Sequence, residues 1–254
     1  MLIDSHCHLD FDVFTEALPE LIKHCHQKNI TRFVIPSIGK QNWDKVIELS
    51  KQHSEFIPAL GIHPCFITGH NLNTDALQLE QYIHQYEINI LGEIGLDKRI
   101  KENLDTQLAF FTEQIRLAQK LNIPALIHSV KAHSEVISTL KSINFSSGGI
   151  IHAFNGSVEV AQAYIEFGFK LGIGGLITYP QNKRLIDVVS SLPLTSFVLE
   201  TDSPDMPVFN QDRSQPNTPL NLIQIFNDFC RYRKECREEI ENTLWHNTQQ
   251  ILQL

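Results

Sequence analysis

Histidines and acidic residues recur along this chain where short apolar runs end. His6 and His8, with one residue between them, come directly after the first such run, residues 2–4. Single histidines or acids follow later runs at comparable positions. Six of these residues form a candidate ligand set: His6, His8, Glu93, His128, His152 and Asp202.

Imidazole and carboxylate groups are the ligands that hard-to-borderline divalent cations use in proteins. Zn²⁺, Mn²⁺, Mg²⁺, Co²⁺ and Ni²⁺ all accept them, so the ligand set predicts two bound divalent ions without naming the metal. Two ions about 3.5–4 Å apart clamp a phosphoryl or carbonyl group and lower the pKa of a bound water. The residue types therefore predict a metal-dependent hydrolase.

Strand-like and helix-like segments alternate over the whole chain, residues 1–254. Eight β-branched or apolar runs predict strands over 2–4, 31–36, 56–62, 89–93, 125–128, 149–152, 170–173 and 197–200. Helix-like stretches separate them, the strongest over 105–121, where Leu108, Phe111 and Ile115 recur at helical spacing. Eight such units in one chain of this length predict a single-domain (β/α)8 TIM barrel. An open doubly wound sheet is the alternative, although no GxGxxG follows the first strand.

The carboxyl ends of barrel strands meet at one face, which holds the active site in TIM-barrel enzymes. His6 and His8 would share one ion with Asp202, because the last strand closes against the first. His128 and His152, on adjacent strands, would share a second ion, with Glu93 as the bridge. Asp202 is also placed to accept a proton from the attacking water.

Two further strand-end residues are assigned supporting roles. His63, in the run Gly61-Ile62-His63-Pro64, would orient the substrate or serve in proton transfer. Glu200 could orient a metal ligand without binding metal itself.

Composition limits the classes of partner and location. The net charge of −8 disfavours broad, charge-driven binding of duplex nucleic acid. Five cysteines in no regular spacing predict a reduced, cytoplasmic protein. We expect no membrane association, and no pattern in the sequence points to an obligate protein partner.

The motif blocks together resemble the TatD family of metal-dependent deoxyribonucleases, a branch of the amidohydrolase-like barrels. The similarity runs from Asp4-Ser5-His6-Cys7-His8 to Glu200-Thr201-Asp202-Ser203-Pro204. The blocks 174–180 and 205–207 resemble the YjjV-like bacterial subgroup. The resemblance implies a TIM barrel with His6, His8, Glu93 and Asp202 on one ion, and Glu93, His128 and His152 on the other. It also implies phosphodiester hydrolysis, often exonucleolytic, with DNA or a small phosphoester as substrate.

Departures from the family pattern fall on the substrate side. Lys98-Arg99-Ile100 stand where many members carry aromatic residues, and Val130-Lys131 stand where many carry an arginine. Lys98 and Lys131 are candidate phosphate contacts. The alternative function is hydrolysis of a small amide, ester or phosphoester, and a more distant one is a metal-binding protein without catalysis.

Overall fold

Eight parallel strands form the centre of the molecule, whose computed structural model describes residues 1–253. The first three strands pair in chain order, and so do the last five. Their bounds are β1 (Leu2–Asp4), β2 (Ile30–Pro36), β3 (Phe56–Ala59), β4 (Leu91–Asp97), β5 (Ala125–Val130), β6 (Gly149–Ile151), β7 (Phe169–Ile173) and β8 (Phe197–Leu199).

Helices follow the strands and form the outer layer. Within the described residues they are α1 (Leu18–Gln27), α2 (Trp43–Gln52), α3 (Leu72–Gln85), α4 (Leu104–Leu121), α5 (His133–Ile143), α6 (Val158–Glu166), α7 (Lys183–Ser191), α8 (Leu222–Arg231) and α9 (Arg237–Leu252). The helix α4 begins where the Asn103 side chain accepts a hydrogen bond from the Asp105 N–H, and it ends at left-handed Asn122. None of these helices is long and apolar enough to cross a membrane.

Hydrogen bonds at two seams join the two groups of strands into a closed barrel. At one seam, Leu60 and Leu91 form a parallel bridge between the segment after β3 and the start of β4. At the other, the Ser5 N–H donates to the Leu199 carbonyl over 2.9 Å, which joins β1 to β8. The predicted (β/α)8 barrel is confirmed, and the open sheet is excluded.

The barrel interior is apolar at the amino-terminal ends of the strands. One residue from most strands contributes to a small core cluster, which the end of α9 covers: Val34, Ala59, Ile90, Leu126, Ile150, Val198 and Leu252. Ala125 and Ile127, on either side of Leu126, belong instead to the larger core between barrel and helices. Because side chains alternate along a strand, His128 faces the interior above Leu126.

Three histidines of the barrel mouth lie beyond the ends of the strands that precede them. β1 ends at Asp4, so His6 and His8 lie in the segment after it. β3 ends at Ala59, so the predicted strand over 56–62 is too long and His63 also lies beyond its strand. Beyond these two strand ends the backbone no longer follows the regular β-pairing, and the imidazoles lie over the barrel mouth.

Asn247 on α9 offers a test of how the final helix stabilises the barrel. Its buried amide donates to the carbonyls of Leu194 and Phe197, over 3.0 and 2.8 Å. Asn247→Ala leaves two buried acceptors without this donor, so we expect it to lower the free energy of unfolding by about 2–4 kcal/mol. Urea denaturation measures the change. The exposed Asn242→Ala on the same helix is the matched control, and an equal loss in both variants would contradict the assignment.

Candidate metal centre

Four side chains from both ends of the chain and its middle meet at the barrel mouth. His6 Nε2 lies 3.2 Å from His8 Nε2 and 3.2 Å from Glu93 Oε2. Asp202 Oδ1 lies 3.5 Å from His6 Nε2 and 3.7 Å from His8 Nε2. Donor atoms bound to one Zn²⁺ at about 2.0–2.2 Å are themselves about 3.3–3.6 Å apart in a tetrahedron. The spacing of the His6, His8 and Glu93 atoms therefore fits one divalent cation, and Asp202 Oδ1 lies close to the same two ring nitrogens.

The second oxygen of Glu93 faces a different pair of histidines. Its Oε1 lies 3.0 Å from His128 Nδ1 and 3.3 Å from His63 Nε2. His63 Nδ1 accepts a hydrogen bond from the Cys65 N–H, so the neutral ring carries its proton on Nε2. His63 therefore points an N–H, not a lone pair, at Glu93. The carboxylate of Glu93 thus stands between two groups of side chains.

His152 lies on the Asp202 side of the cluster. Its ring stacks on the His6 ring with centroids 3.7 Å apart, and its Nε2 is 3.6 Å from Asp202 Oδ2. Its ring centroid is 6.1 Å from that of His128, with the two rings nearly parallel. The structure brings all six predicted ligands and His63 together, but it groups His152 with His6 and Asp202, while His128 groups with His63 and Glu93.

Two buried carboxylates stand behind the histidines. Asp97 Oδ2 lies 3.2 Å from His128 Nε2, and the Arg99 guanidinium holds the same carboxylate through both Nε and Nη2. Glu200 Oε1 lies 3.0 Å from His152 Nδ1. A Cβ at position 172 would come within 2.2 Å of Glu200 Oε2, so Gly172 makes room for this side chain. Carboxylates in this position fix the orientation of ligating imidazoles.

Burial and neighbouring charge shift the pKa values in opposite directions across the cluster. Burial lowers the pKa of His8 to about 4 and raises that of Asp202 to about 7. Burial also opposes protonation of His152, but the negative charges of Glu200 and Asp202 overcome it and raise its pKa to about 10. Against its own burial, Glu93 is held well below its ordinary pKa by His63 and His6.

The donor set fits a divalent cation on evidence that is independent of the sequence pattern. His6 and His8 are both buried, and the Nε2 atoms of the two rings face the carboxylate oxygens of Glu93 and Asp202. A cluster of buried carboxylates and imidazoles costs free energy unless a countercharge compensates it. A bound cation supplies that countercharge at the point where the ring nitrogens and carboxylate oxygens converge.

Two supporting residues were missed or placed differently by the sequence reasoning. Asp4 is fully buried, and its two oxygens accept hydrogen bonds from the Thr201 N–H and Oγ1 over 2.9 and 2.6 Å. Its position just before the His6-Cys7-His8 motif was the available signal. Asp97, the last residue of β4, contacts His128 directly.

The predicted phosphate contacts lie on loops around the mouth. Lys98 Nζ is 2.5 Å from Glu135 Oε1. Lys131 is exposed, with a left-handed backbone at φ 54°. Each follows a strand that carries a candidate ligand, and their contact with substrate stays a prediction.

A closed (β/α)8 barrel with histidines and carboxylates at its mouth is the architecture of amidohydrolase-type metal-dependent hydrolases. Residues 3–253 match the family described as TatD related DNase. The chain belongs to the TatD family of metal-dependent hydrolases, as its motifs predicted.

Individual relatives cover nearly the whole chain. The uncharacterized metal-dependent hydrolase YjjV of Escherichia coli is 33% identical over 249 residues, 97% of this chain and 95% of the relative. The crystal structure of that TatD homologue superimposes with a TM-score of 0.94 and covers 100% of this chain and 98% of its own. A human protein named deoxyribonuclease TATDN3 is 29% identical over 85% of this chain and 82% of its own.

The Asp97–His128 contact yields a pH-dependent prediction for the metal-free protein. Burial disfavours the charged His128 ring, but the contacts with Asp97 and Glu93 outweigh it and raise the pKa. A raised folded-state pKa stabilises the protein at low pH, and this stabilisation is lost as the pH rises through that value. We expect Asp97→Asn to lower the pKa of His128, because the neutral amide no longer favours the imidazolium.

NMR titration of the imidazole resonances measures this change. Asp75→Asn is the matched control, since Asp75 pairs with His70, 2.9 Å away, and not with the cluster. An unchanged His128 titration in Asp97→Asn would show that the contact has no electrostatic effect.

Proposed function

We propose that the chain is a divalent-metal-dependent phosphodiesterase that hydrolyses DNA, acting from strand ends. The observation that carries the proposal is the position of Glu93, whose Oε2 faces His6 and whose Oε1 faces His128. A carboxylate between two sets of nitrogen donors can serve two ions through its two oxygens, and two-metal sites are typical of phosphodiester hydrolysis.

The ligand assignment that we propose uses six residues. His6, His8 and Asp202 would hold one ion, His128 and His152 the other, and Glu93 would bridge them. His128 Nδ1 lies beside Glu93 Oε1, and the proximity of His152 Nε2 to Asp202 Oδ2 keeps the two groups adjacent. Zn²⁺, Mn²⁺, Mg²⁺, Co²⁺ and Ni²⁺ are all compatible with these donors.

Divalent ions bound there would stabilise charge on the phosphoryl oxygens and lower the pKa of water. Asp202 accepts the proton of the attacking water in this scheme, because it is the carboxylate of the cluster with the most exposed side chain. The His63 N–H on Nε2 orients the substrate or returns a proton. Lys98 and Lys131 approach the phosphates of the strand from the β4 and β5 loops.

DNA as the substrate rests on the family and on the deoxyribonuclease name of the human relative. The net charge of −8 supports binding at strand ends rather than along a duplex. We also propose a cytoplasmic location, which the five unpaired cysteines support, and a catalytic cycle that needs no partner protein.

Metal content tests the ligand groups. We expect about two ions per chain in the native protein and about one in His6→Ala or in His128→Ala, because each variant disrupts one group. Glu93→Ala should retain neither ion firmly, since it removes the shared ligand. Elemental analysis after dialysis measures the ratio. His246→Ala, an exposed histidine on α9, is the control, and native content in Glu93→Ala would overturn the bridge.

Hydrolysis of a 3′-labelled single-stranded oligonucleotide tests the activity. Asp202→Asn should lower kcat by about 10²–10⁴-fold, the range expected for loss of a general base. The exposed Asp187→Asn on α7 should keep native activity. Metal-loaded native protein that leaves DNA intact, or that turns over small esters or amides faster, would favour the small-substrate hydrolase. Unchanged activity in a metal-loaded Asp202→Asn protein would remove Asp202 from catalysis.

A further inference from the structure

Three side chains form a cluster at the barrel mouth beside the segment that carries Asp202. Tyr179 follows the 3-10 turn after β7, while Phe209 and Arg213 lie in the segment between β8 and α8. Because β7 and β8 are neighbours, the cluster lies at the carboxyl ends of two adjacent strands. We name Tyr179, Phe209 and Arg213 the rim cluster.

Contacts within the rim cluster fix the arginine. The Arg213 guanidinium lies 5.9 Å from the centroid of the Tyr179 ring and donates a hydrogen bond from Nη2 to its Oη. That hydroxyl in turn donates to the Pro207 carbonyl over 3.0 Å. The Tyr179 hydroxyl thus accepts a hydrogen bond from Arg213 and donates one to Pro207. These two bonds hold Arg213 against the segment after β8.

Phe209 presents an exposed ring on an anchored backbone. Its side chain packs edge-on against Tyr179, with centroids 5.5 Å apart, yet the residue remains 37% exposed. Its N–H donates to Thr178 Oγ1 over 2.7 Å, which ties the β8 segment to the β7 segment. An aromatic ring held in place before binding loses little conformational freedom when a ligand stacks on it.

Arg213 keeps an uncompensated charge, unlike Lys98 and Lys40, two other cations in loops that follow barrel strands. Lys98 has a carboxylate oxygen at 2.5 Å, and Lys40 has one at 3.4 Å. Within residues 1–253, no carboxylate lies within 4 Å of the Arg213 guanidinium nitrogens. Its neighbour Asp212 instead accepts hydrogen bonds from Ser214.

We propose that the rim cluster is a nucleotide-binding subsite for single-stranded nucleic acid, in which Phe209 stacks on a base and Arg213 binds a phosphate. This inference rests on the proposed phosphodiesterase function and adds the site that holds the strand. An exposed aromatic ring beside an unpaired cation is the combination by which proteins bind single strands without reading their sequence. In a chain of net charge −8, stacking supplies affinity that overall charge does not.

Binding and turnover are measured separately on the metal-loaded protein. Fluorescence anisotropy with a labelled, nuclease-resistant phosphorothioate oligonucleotide gives Kd, and methyl p-nitrophenyl phosphate reports the metal centre alone. Phe209→Ala should raise Kd by about 5- to 150-fold, the equivalent of losing one stacked base. Arg213→Gln should reduce the slope of log Kd against log salt by about 0.7, and Arg213→Lys should retain the native slope.

Leu77→Ala and Arg116→Gln, exposed on α3 and α4, are the matched controls and should behave as the native protein does. Turnover of the small phosphodiester should be unchanged in every variant.

Native Kd and salt slope in the Phe209 and Arg213 variants, with DNA still hydrolysed, would overturn the subsite and leave the proposed function intact. Equal losses on DNA and on the small phosphodiester would also overturn it, because the cluster would then only support the fold. Failure of the native protein to bind the oligonucleotide would do the same. Binding that depends on Phe209 without any DNA hydrolysis would support the subsite and overturn the nuclease function.

Discussion

Hydrogen bonds between the first and last strands are the constraint on which the rest of the structure depends. Asp4, whose pKa burial raises to about 8, accepts from both the N–H and the hydroxyl of Thr201, 197 residues away. The next turn of chain continues the seam, since the Asp202 N–H donates to the His6 carbonyl over 2.9 Å. Closure of the barrel and assembly of the candidate metal centre therefore depend on the same hydrogen bonds, which hold Asp202 beside His6.

The two ends of the barrel contribute differently to the stability of the fold. At the amino-terminal end, residues such as Leu126, Ile150 and Leu252 form a dry apolar layer. At the other end, His6, Glu93 and Glu200 are buried polar groups that contribute little to stability unless paired or compensated. The apolar layer and the larger core around it stabilise the fold. This stabilisation offsets the unfavourable free energy of burying the charged groups at the mouth. A cation at the mouth is thus expected to stabilise the folded chain as well as to serve catalysis.

Much of the centre could be predicted because position along a strand determines direction. His128 faces inward because Leu126 does, and the strand alternation is visible in the sequence. Glu93 was predicted from its residue type and its place at the end of the run 89–93, but β4 continues to Asp97, so Glu93 lies within the strand. The β4–β5 register is irregular between Leu91 and Ile94, and no sequence pattern indicates how the backbone turns there. The proton position on His63 depends on one backbone N–H, that of Cys65, which only the folded loop brings into contact. Details of this kind arise from local backbone geometry rather than from residue periodicity.

Cations in the loop after β4 are already engaged by carboxylates. The Arg99 guanidinium is bound to Asp97 through two nitrogens, behind His128. Arg99 therefore helps to position the carboxylate that contacts His128. Lys98 is likewise neutralised by Glu135. Because these two cations already contact carboxylates, contacts from other segments of the mouth are expected to add to the recognition of the strand. Lys131 after β5 and Phe209 and Arg213 after β8 are exposed side chains that can make such contacts, so substrate binding is expected to depend on these loops more than on the loop after β4.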